Sequence, residues 1–380
     1  MFEVLLGLAA IFFLLSIHPY TIYPLTLSLL RPRPLRVLEP DWVRPSVAIC
    51  MSAYNEERVI VAKVEQLLEM AAQYGPATIN IYVDGSSDRT VTLLRPYSDR
   101  LNLVVSDQRR GKTAGLKDLV STTDSELLAF TDANVQVPPD SLSILAAAVQ
   151  DPDVCCASAR LVYSNPGETG VSASGAIYWS IEEFIKSLES RTVGLIGVDG
   201  AMFVIEREAY SPPPNELIDD LYVSISALLT GKRVVSTESV LVEERSATRW
   251  DEEFRRKARI SCQATRVHLA LWPKLLSAKP LVLYAYVSHR VLKWLTPLNI
   301  SITGVLFLAA LCVRFGLMLP LVGSAGLLAA LVLGAAVNFP YMRMIATAII
   351  SLAGVAWGQL EALFTRRTYT TWTPAPTVRN

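Results

Sequence analysis

Apolar residues crowd the first thirty positions, thin to short runs from Pro45 onward, and crowd again after Leu295. The stretch from Val4 to Leu30 is almost wholly apolar, broken by His18, Pro19 and Pro24. A helix of about 27 residues is about 40 Å long, enough to cross a bilayer even when kinked at prolines. From Pro45 short apolar runs alternate with segments whose apolar residues recur every three or four positions. This pattern predicts strands over Val47–Ser52, Thr78–Val83, Leu101–Ser106 and Glu126–Thr131. It predicts helices over Glu57–Tyr74 and Leu142–Val149, and a third from about Lys112. Farther on it predicts strands over Val154–Tyr163 and Val234–Val242, a helix over Val171–Ser190, and a helix within Asn215–Thr230 opened by Asp219 and Asp220. Strand–helix alternation at this spacing implies an α/β domain with a mostly parallel, Rossmann-like sheet.

Asp251–Trp272 reads as a basic amphipathic helix holding Arg255, Arg256, Lys257, Arg259 and Arg266. Leu281–Leu295 mixes apolar residues with His289, Arg290 and Lys293 and reads as an interfacial helix. Pro297–Cys312 and Leu317–Val337 read as spans, and Met344–Phe364 is apolar enough for a third. The expected organisation is therefore an anchor and basic linker over 1–44, a cytoplasmic domain over 45–278, and an interfacial helix, transmembrane segments and cytoplasmic tail over 279–380.

Composition supports a membrane-anchored globular protein: 51% of residues are hydrophobic and mean hydropathy is +0.34. Lys+Arg and Asp+Glu balance at 35 each, which gives no net-charge argument for nucleic acid. Glu3 precedes the first apolar stretch, and Arg31, Arg33, Arg36 and Arg44 follow it. The excess of arginine places the following domain in the cytoplasm. Arg366 and Arg367 follow the last apolar stretch, which calls for an even number of crossings after the domain; either that stretch lies in the interface or the charge rule fails there. The five cysteines form no CxxC pair, and three lie in apolar runs as small buried hydrophobes.

Four acidic groups fall at predicted strand ends or loops: Glu56-Glu57, Asp84 with Asp88, Asp132 with Asn134, and Asp219-Asp220. A lone Asp after a strand is more often a helix cap than a catalyst, so their recurrence carries the weight. Strand carboxyl ends converge on one edge of a parallel sheet, which brings these side chains to one crevice. Oxygen ligands there suit a hard divalent cation shared with phosphates, and a second carboxylate suits proton abstraction. Lys112 follows Gly111 at a helix start, fitting either phosphate contact or a solvated position. The arginines of 255–259 fit a diphosphate clamp or a basic face on anionic lipid headgroups.

From about Ser46 to Ile260 these motifs resemble the family-2 inverting glycosyltransferases, which have a membrane-anchored GT-A fold. SAYNEE (52–57) is similar to the family's first nucleotide loop, which implies donor contacts at Ala53, Tyr54 and Glu56. YVDGSSDRT (82–90) resembles the second, with Asp84 meeting base or ribose, and RRGKTAGL (109–116) implies Lys112 near the donor. FTDAN resembles the metal motif, implying that Asp132 and Asn134 hold Mg2+ or Mn2+. GVDGAMFVI (197–205) and IDDLYVSI (218–225) resemble the acceptor-side segments. They imply acceptor-side roles for Asp199, Gly200 and Asp219, and a general base in Asp220. FRRKARI (254–260) falls where processive members carry QxxRW and implies diphosphate contacts at Arg256 and Arg259, without that motif's Gln and Trp. The metal motif ends in Asn134 instead of an acidic residue.

The resemblance implies transfer of a sugar from a nucleotide-sugar, a UDP-sugar by expectation, to a lipid-linked or polysaccharide acceptor at the cytoplasmic membrane face. Its implied partners are donor, acceptor, membrane lipids and polysaccharide-assembly subunits, with no nucleic acid. The competing reading is a non-catalytic scaffold of the same fold, against which Asp84, Asp132 and Asp220 all stand intact.

Overall fold

The structure is a computed structural model that describes residues 1–36, 42–165, 170–245, 248–337 and 339–371. The last nine residues of the expected tail lie outside the described residues. A seven-stranded sheet runs in the order β3-β2-β1-β4-β6-β5-β7. Its strands are β1 Val47–Ala53, β2 Ala77–Asp84, β3 Asn102–Ser106, β4 Leu127–Thr131, β5 Val154–Tyr163, β6 Met202–Glu206 and β7 Arg233–Glu244. Strands β1 to β4 pair in parallel, whereas β6 is antiparallel to both β4 and β5. The sheet is thus mostly parallel, as the alternation predicts.

Alternation along β1 shows why these residues make a buried strand. Val47, Ile49, Met51 and Ala53 enter one core and Ala48 and Cys50 the other, because successive side chains point to opposite faces. Each large core side chain contributes roughly 1.5–3 kcal/mol by its burial.

In chain order the helices are α1 Phe2–Ile17, α2 Ile22–Ser28, α3 Ile60–Tyr74, α4 Thr90–Leu94, α5 Lys112–Ser121, α6 Ser141–Val149, α7 Gly170–Arg191, α8 Asp219–Leu228, α9 Trp250–Leu275, α10 Pro280–Tyr286, α11 Leu292–Trp294, α12 Thr296–Phe315, α13 Met318–Ala336 and α14 Pro340–Phe364. Helix α3 begins at Ile60, three residues after its predicted start; the amides of Glu56 and Glu57 instead donate to Thr90 and Asp88 of the next loop. All five cysteines are free and four are buried.

Among the described residues, four helices are long and apolar enough to cross a membrane: Phe2–Tyr20, Thr296–Phe315, Met318–Ala336 and Tyr341–Phe364. The structure departs from the sequence expectation at the first apolar stretch and at the segment over 281–295. The first apolar stretch is two helices, because the chain turns at His18–Tyr20 around Pro19. The second of these, α2, docks on the domain: Tyr23 and Leu27 are fully buried, and the Tyr23 hydroxyl donates to Glu189 at 2.6 Å. The predicted interfacial helix over 281–295 is interrupted by a π-turn at Val287–Val291, which buries His289 between Glu182 and Glu189 at 3.0 and 2.6 Å. Finally, the C-terminal half of α14 lies along α9, so closely that a Cβ on Gly358 would overlap the Ala258 carbonyl. The tail that follows stays on the domain, with Arg266 donating to the carbonyls of Thr365 and Arg367 and Gln263 to that of Tyr369.

Candidate active site

The carboxyl ends of β1, β2 and β4 and the amino end of antiparallel β6 meet at one sheet edge. That reversal of β6 delivers the Gly-rich segment to Asp132, whose amide donates to the Ala201 carbonyl at 3.3 Å. The Thr131 hydroxyl donates to the same carbonyl at 2.8 Å.

Ala53, the last residue of β1, is buried, and Asn55 beyond it takes a left-handed backbone (φ 53°). The Asn55 amide donates to the Ser86 hydroxyl, and its side-chain oxygen accepts from the Ser87 amide. The loops after β1 and β2 are therefore stitched together. Tyr54 presents its ring to the Arg109 guanidinium, 3.6 Å from the centroid, and Glu56 is buried. Asp84 is only 3% exposed. Its carboxylate accepts from the Arg110 amide at 2.7 Å and the Gly111 amide at 2.9 Å. In this structure Asp84 braces the turn that opens α5, leaving little of its own surface for a base or ribose.

That turn aims Lys112. Its ammonium lies 2.8 Å from Asp132 and 3.3 Å from Asp219, and burial, which opposes the charge, is outweighed by Asp132, Asp219 and Asp220. Gly200 sits over the same junction. A Cβ built there would lie 3.0 Å from Asp220 Oδ2, 3.3 Å from Lys112 Nζ and 3.5 Å from Asp132 Oδ2. Lys112, Asp132, Gly200, Asp219 and Asp220, drawn from four separate segments, thus converge on one point. Burial pushes the Asp220 carboxyl up to about 7, with the neighbouring Asp219 charge adding to it and Lys112 opposing it. Asp199 stands to one side, paired with Lys186, which also reaches Glu183 at 3.0 Å.

Arg256 and Arg259 approach from α9. Arg256 donates to the Tyr163 hydroxyl at 3.1 Å and Arg259 to Gln263 at 3.3 Å, while Arg255 faces outward and pairs with Asp251. Burial brings Arg259 down to about 10, with Arg256 reinforcing the effect. Thr370 of the tail lies against Gly111, where a Cβ would overlap the Thr370 carbonyl.

Among the described residues no set of three His, Cys, Asp or Glu side chains is arranged to hold a metal ion. The donors near Asp132 include a carboxamide: Asn134 donates through Nδ2 to Glu244 at 3.1 Å, which leaves its carbonyl oxygen for a ligand. Carboxylate and carboxamide oxygens suit Mg2+ or Mn2+, and the Lys112 ammonium already bridges two of the carboxylates as a cation. The residues present fit such an ion.

Sequence reasoning missed Lys63, which is 3% exposed and donates to Thr131 Oγ1 at 3.2 Å and the Val135 carbonyl at 3.0 Å. Burial brings its ammonium down to about 7, opposed by Asp132. The available signal was its place on the apolar stripe of α3, between Ile60 and Leu67.

Residues 48–211 match the family described as Glycosyl transferase family 2. Residues 48–211 carry a family 2 glycosyl transferase domain. All of β1 to β6 except Val47, with the loops bearing Asp84, Lys112, Asp132 and Gly200, lies inside the matched residues; Asp219, Asp220 and α9 lie beyond them. An N-acetylglucosaminyltransferase of Rhizobium leguminosarum bv. viciae is 23% identical over 216 residues, 52% of this chain and 50% of that protein. A beta-monoglucosyldiacylglycerol synthase of Trichormus variabilis is 29% identical over 129 residues, 33% of this chain and 28% of that protein. The chain thus spans half or less of the length of these relatives. A mannosyltransferase from Pyrobaculum calidifontis, solved in complex with GDP-Man and Mn2+, superposes with a TM-score of 0.70 at 20% identity. That match covers 96% of this chain and 100% of the other. The family 2 domain therefore has the GT-A fold.

Proposed function

We propose that the chain is a membrane-bound inverting glycosyltransferase that moves a hexosyl group from a nucleotide-sugar, a UDP-sugar first among candidates, to a lipid-linked or polysaccharide acceptor at the cytoplasmic membrane face. The observation that carries this reading is the convergence of Lys112, Asp132, Gly200, Asp219 and Asp220 at one sheet edge. An N-acetylglucosaminyltransferase and a glucosyldiacylglycerol synthase among the relatives, and a mannosyltransferase with the same fold, support it.

In this reading Asp220 is the general base. A carboxyl pushed up to about 7 is basic enough to take a hydroxyl proton and is about half ionised at neutral pH. It removes the acceptor proton as the acceptor oxygen attacks the anomeric carbon; the bond to the diphosphate breaks on the opposite face, and configuration inverts. Lys112, Arg256 and Arg259 set positive charge against the departing diphosphate, where it stabilises developing negative charge most. Asp132 and Asn134 would hold Mg2+ or Mn2+, which when bound supplies further positive charge to that leaving group. Ala53, Tyr54 and Glu56 border the donor, Asp84 fixes the turn that aims Lys112, and Asp199, Gly200 and Asp219 border the acceptor side.

The test is release of nucleoside diphosphate from a panel of UDP- and GDP-sugars by detergent-purified protein with Mg2+ or Mn2+. Turnover of one donor, lost in Asp132→Ala, is expected. Release from none of them, with no donor bound, would overturn the reading.

A further inference from the structure

The segment after β4 offers one carboxylate, Asp132, and one neutral amide, Asn134, and a hard divalent cation shared with phosphates takes one or two carboxylates. The structure brings a second carboxylate to that place from the end of β7. Gln136 and Glu243 form an antiparallel bridge, each amide donating to the other's carbonyl at 3.0 and 3.1 Å. This fixes the end of β7 against the 132–136 segment. The next residue, Glu244, accepts from Asn134 Nδ2 at 3.1 Å.

Resting on the metal-dependent reading, we propose that Glu244 is a ligand of the same divalent cation, so that Asp132, the Asn134 carbonyl oxygen and Glu244 hold it together. The carboxylate missing at position 134 is supplied from β7. The Asn134–Glu244 hydrogen bond orients both groups: with Nδ2 committed to Glu244, the amide oxygen is the atom offered to the ion. Glu244 lies 112 positions after Asp132, so no local motif contains both.

Mn2+ binding to the purified full-length protein in detergent, followed by the loss of the free-ion electron paramagnetic resonance signal with and without UDP, tests this directly. Glu244→Gln is isosteric and is expected to raise the Mn2+ Kd about tenfold or more, since even residues that only orient metal ligands are worth about 10–100-fold. Asn134→Asp in the Glu244→Gln background restores the lost charge and is expected to return the Kd to within about threefold of the parent. Asp132→Ala is expected to abolish binding, and thermal unfolding of each variant reports whether it is folded. Parent-like Mn2+ affinity in Glu244→Gln, with binding lost in Asp132→Ala, would overturn the role of Glu244 and leave the transferase reading standing. Parent-like affinity in both variants would overturn the two together.

Discussion

Gly200→Ala places a single methyl where the site has no room for it. A Cβ at this position lies 3.0 Å from Asp220 Oδ2, so the carboxylate has to retreat by about 0.4 Å to reach ordinary contact at 3.4 Å. Lys112 Nζ, at 3.3 Å, is also pressed, while Asp132 Oδ2 at 3.5 Å is not. Misplacing a reacting group by 1 Å costs about 100-fold in rate, so a shift of 0.4 Å predicts a loss of about sixfold in kcat/KM. Gly200 is not among the glycines with positive φ, so alanine fits the backbone and restricts the unfolded chain by about 0.4–1 kcal/mol. The expected signature is reduced release of nucleoside diphosphate with an unchanged or slightly raised Tm. The added methyl buries Asp220 further, so the acidic limb of the pH–rate profile is expected to move upward. Full activity at an unchanged Tm would refute the claim that Gly200, Asp220 and Lys112 form one packed centre.

Two other outcomes follow from the same geometry. A general base works only when deprotonated, so with Asp220 pushed up to about 7 the rate should climb with pH through that value. At pH 6 about a tenth of its plateau should remain, and a kcat/KM profile flat from about pH 5.5 to 8 would exclude Asp220 as the base. Gly358→Val forces α14 away from the Ala258 carbonyl, which a Cβ at that position already overlaps. Overpacking of this kind costs about 1–3 kcal/mol, visible as a lower Tm in detergent; an unchanged Tm would mean that α14 does not seat on α9.

The Rossmann-like half of the fold was legible because its strands are short apolar runs ended by polar loops, and Asp132 could be placed at a sheet edge from Leu127–Phe130 alone. The direction of β6 was not legible. Met202–Glu206 is an apolar run that reads alike in either orientation, and only pairing with Leu127–Thr131 fixes it. That pairing brings Gly200 to Asp132. The bracing role of Asp84 depends on backbone amides 26 and 27 positions away, which carry no sequence signal. The stretch holding His289 reads as interfacial because His289, Arg290 and Lys293 stand among apolar residues. The His289 partners Glu182 and Glu189 lie two turns apart on α7, one buried face of a long helix, and that spacing was the readable clue. Tyr23 was hidden in an apolar stretch long enough to span a membrane, although its hydroxyl bonds a buried carboxylate 166 positions later.

The division of labour between Asp132 and Asp220 is tested most directly in Asp220→Asn, by measuring donor binding and donor turnover on the same preparation with Mn2+. Donor affinity within about threefold of the parent, together with a loss of at least about 100-fold in turnover, is the predicted result for a base that acts only in the chemical step. Turnover within a few-fold of the parent would contradict it and remove Asp220 from the mechanism.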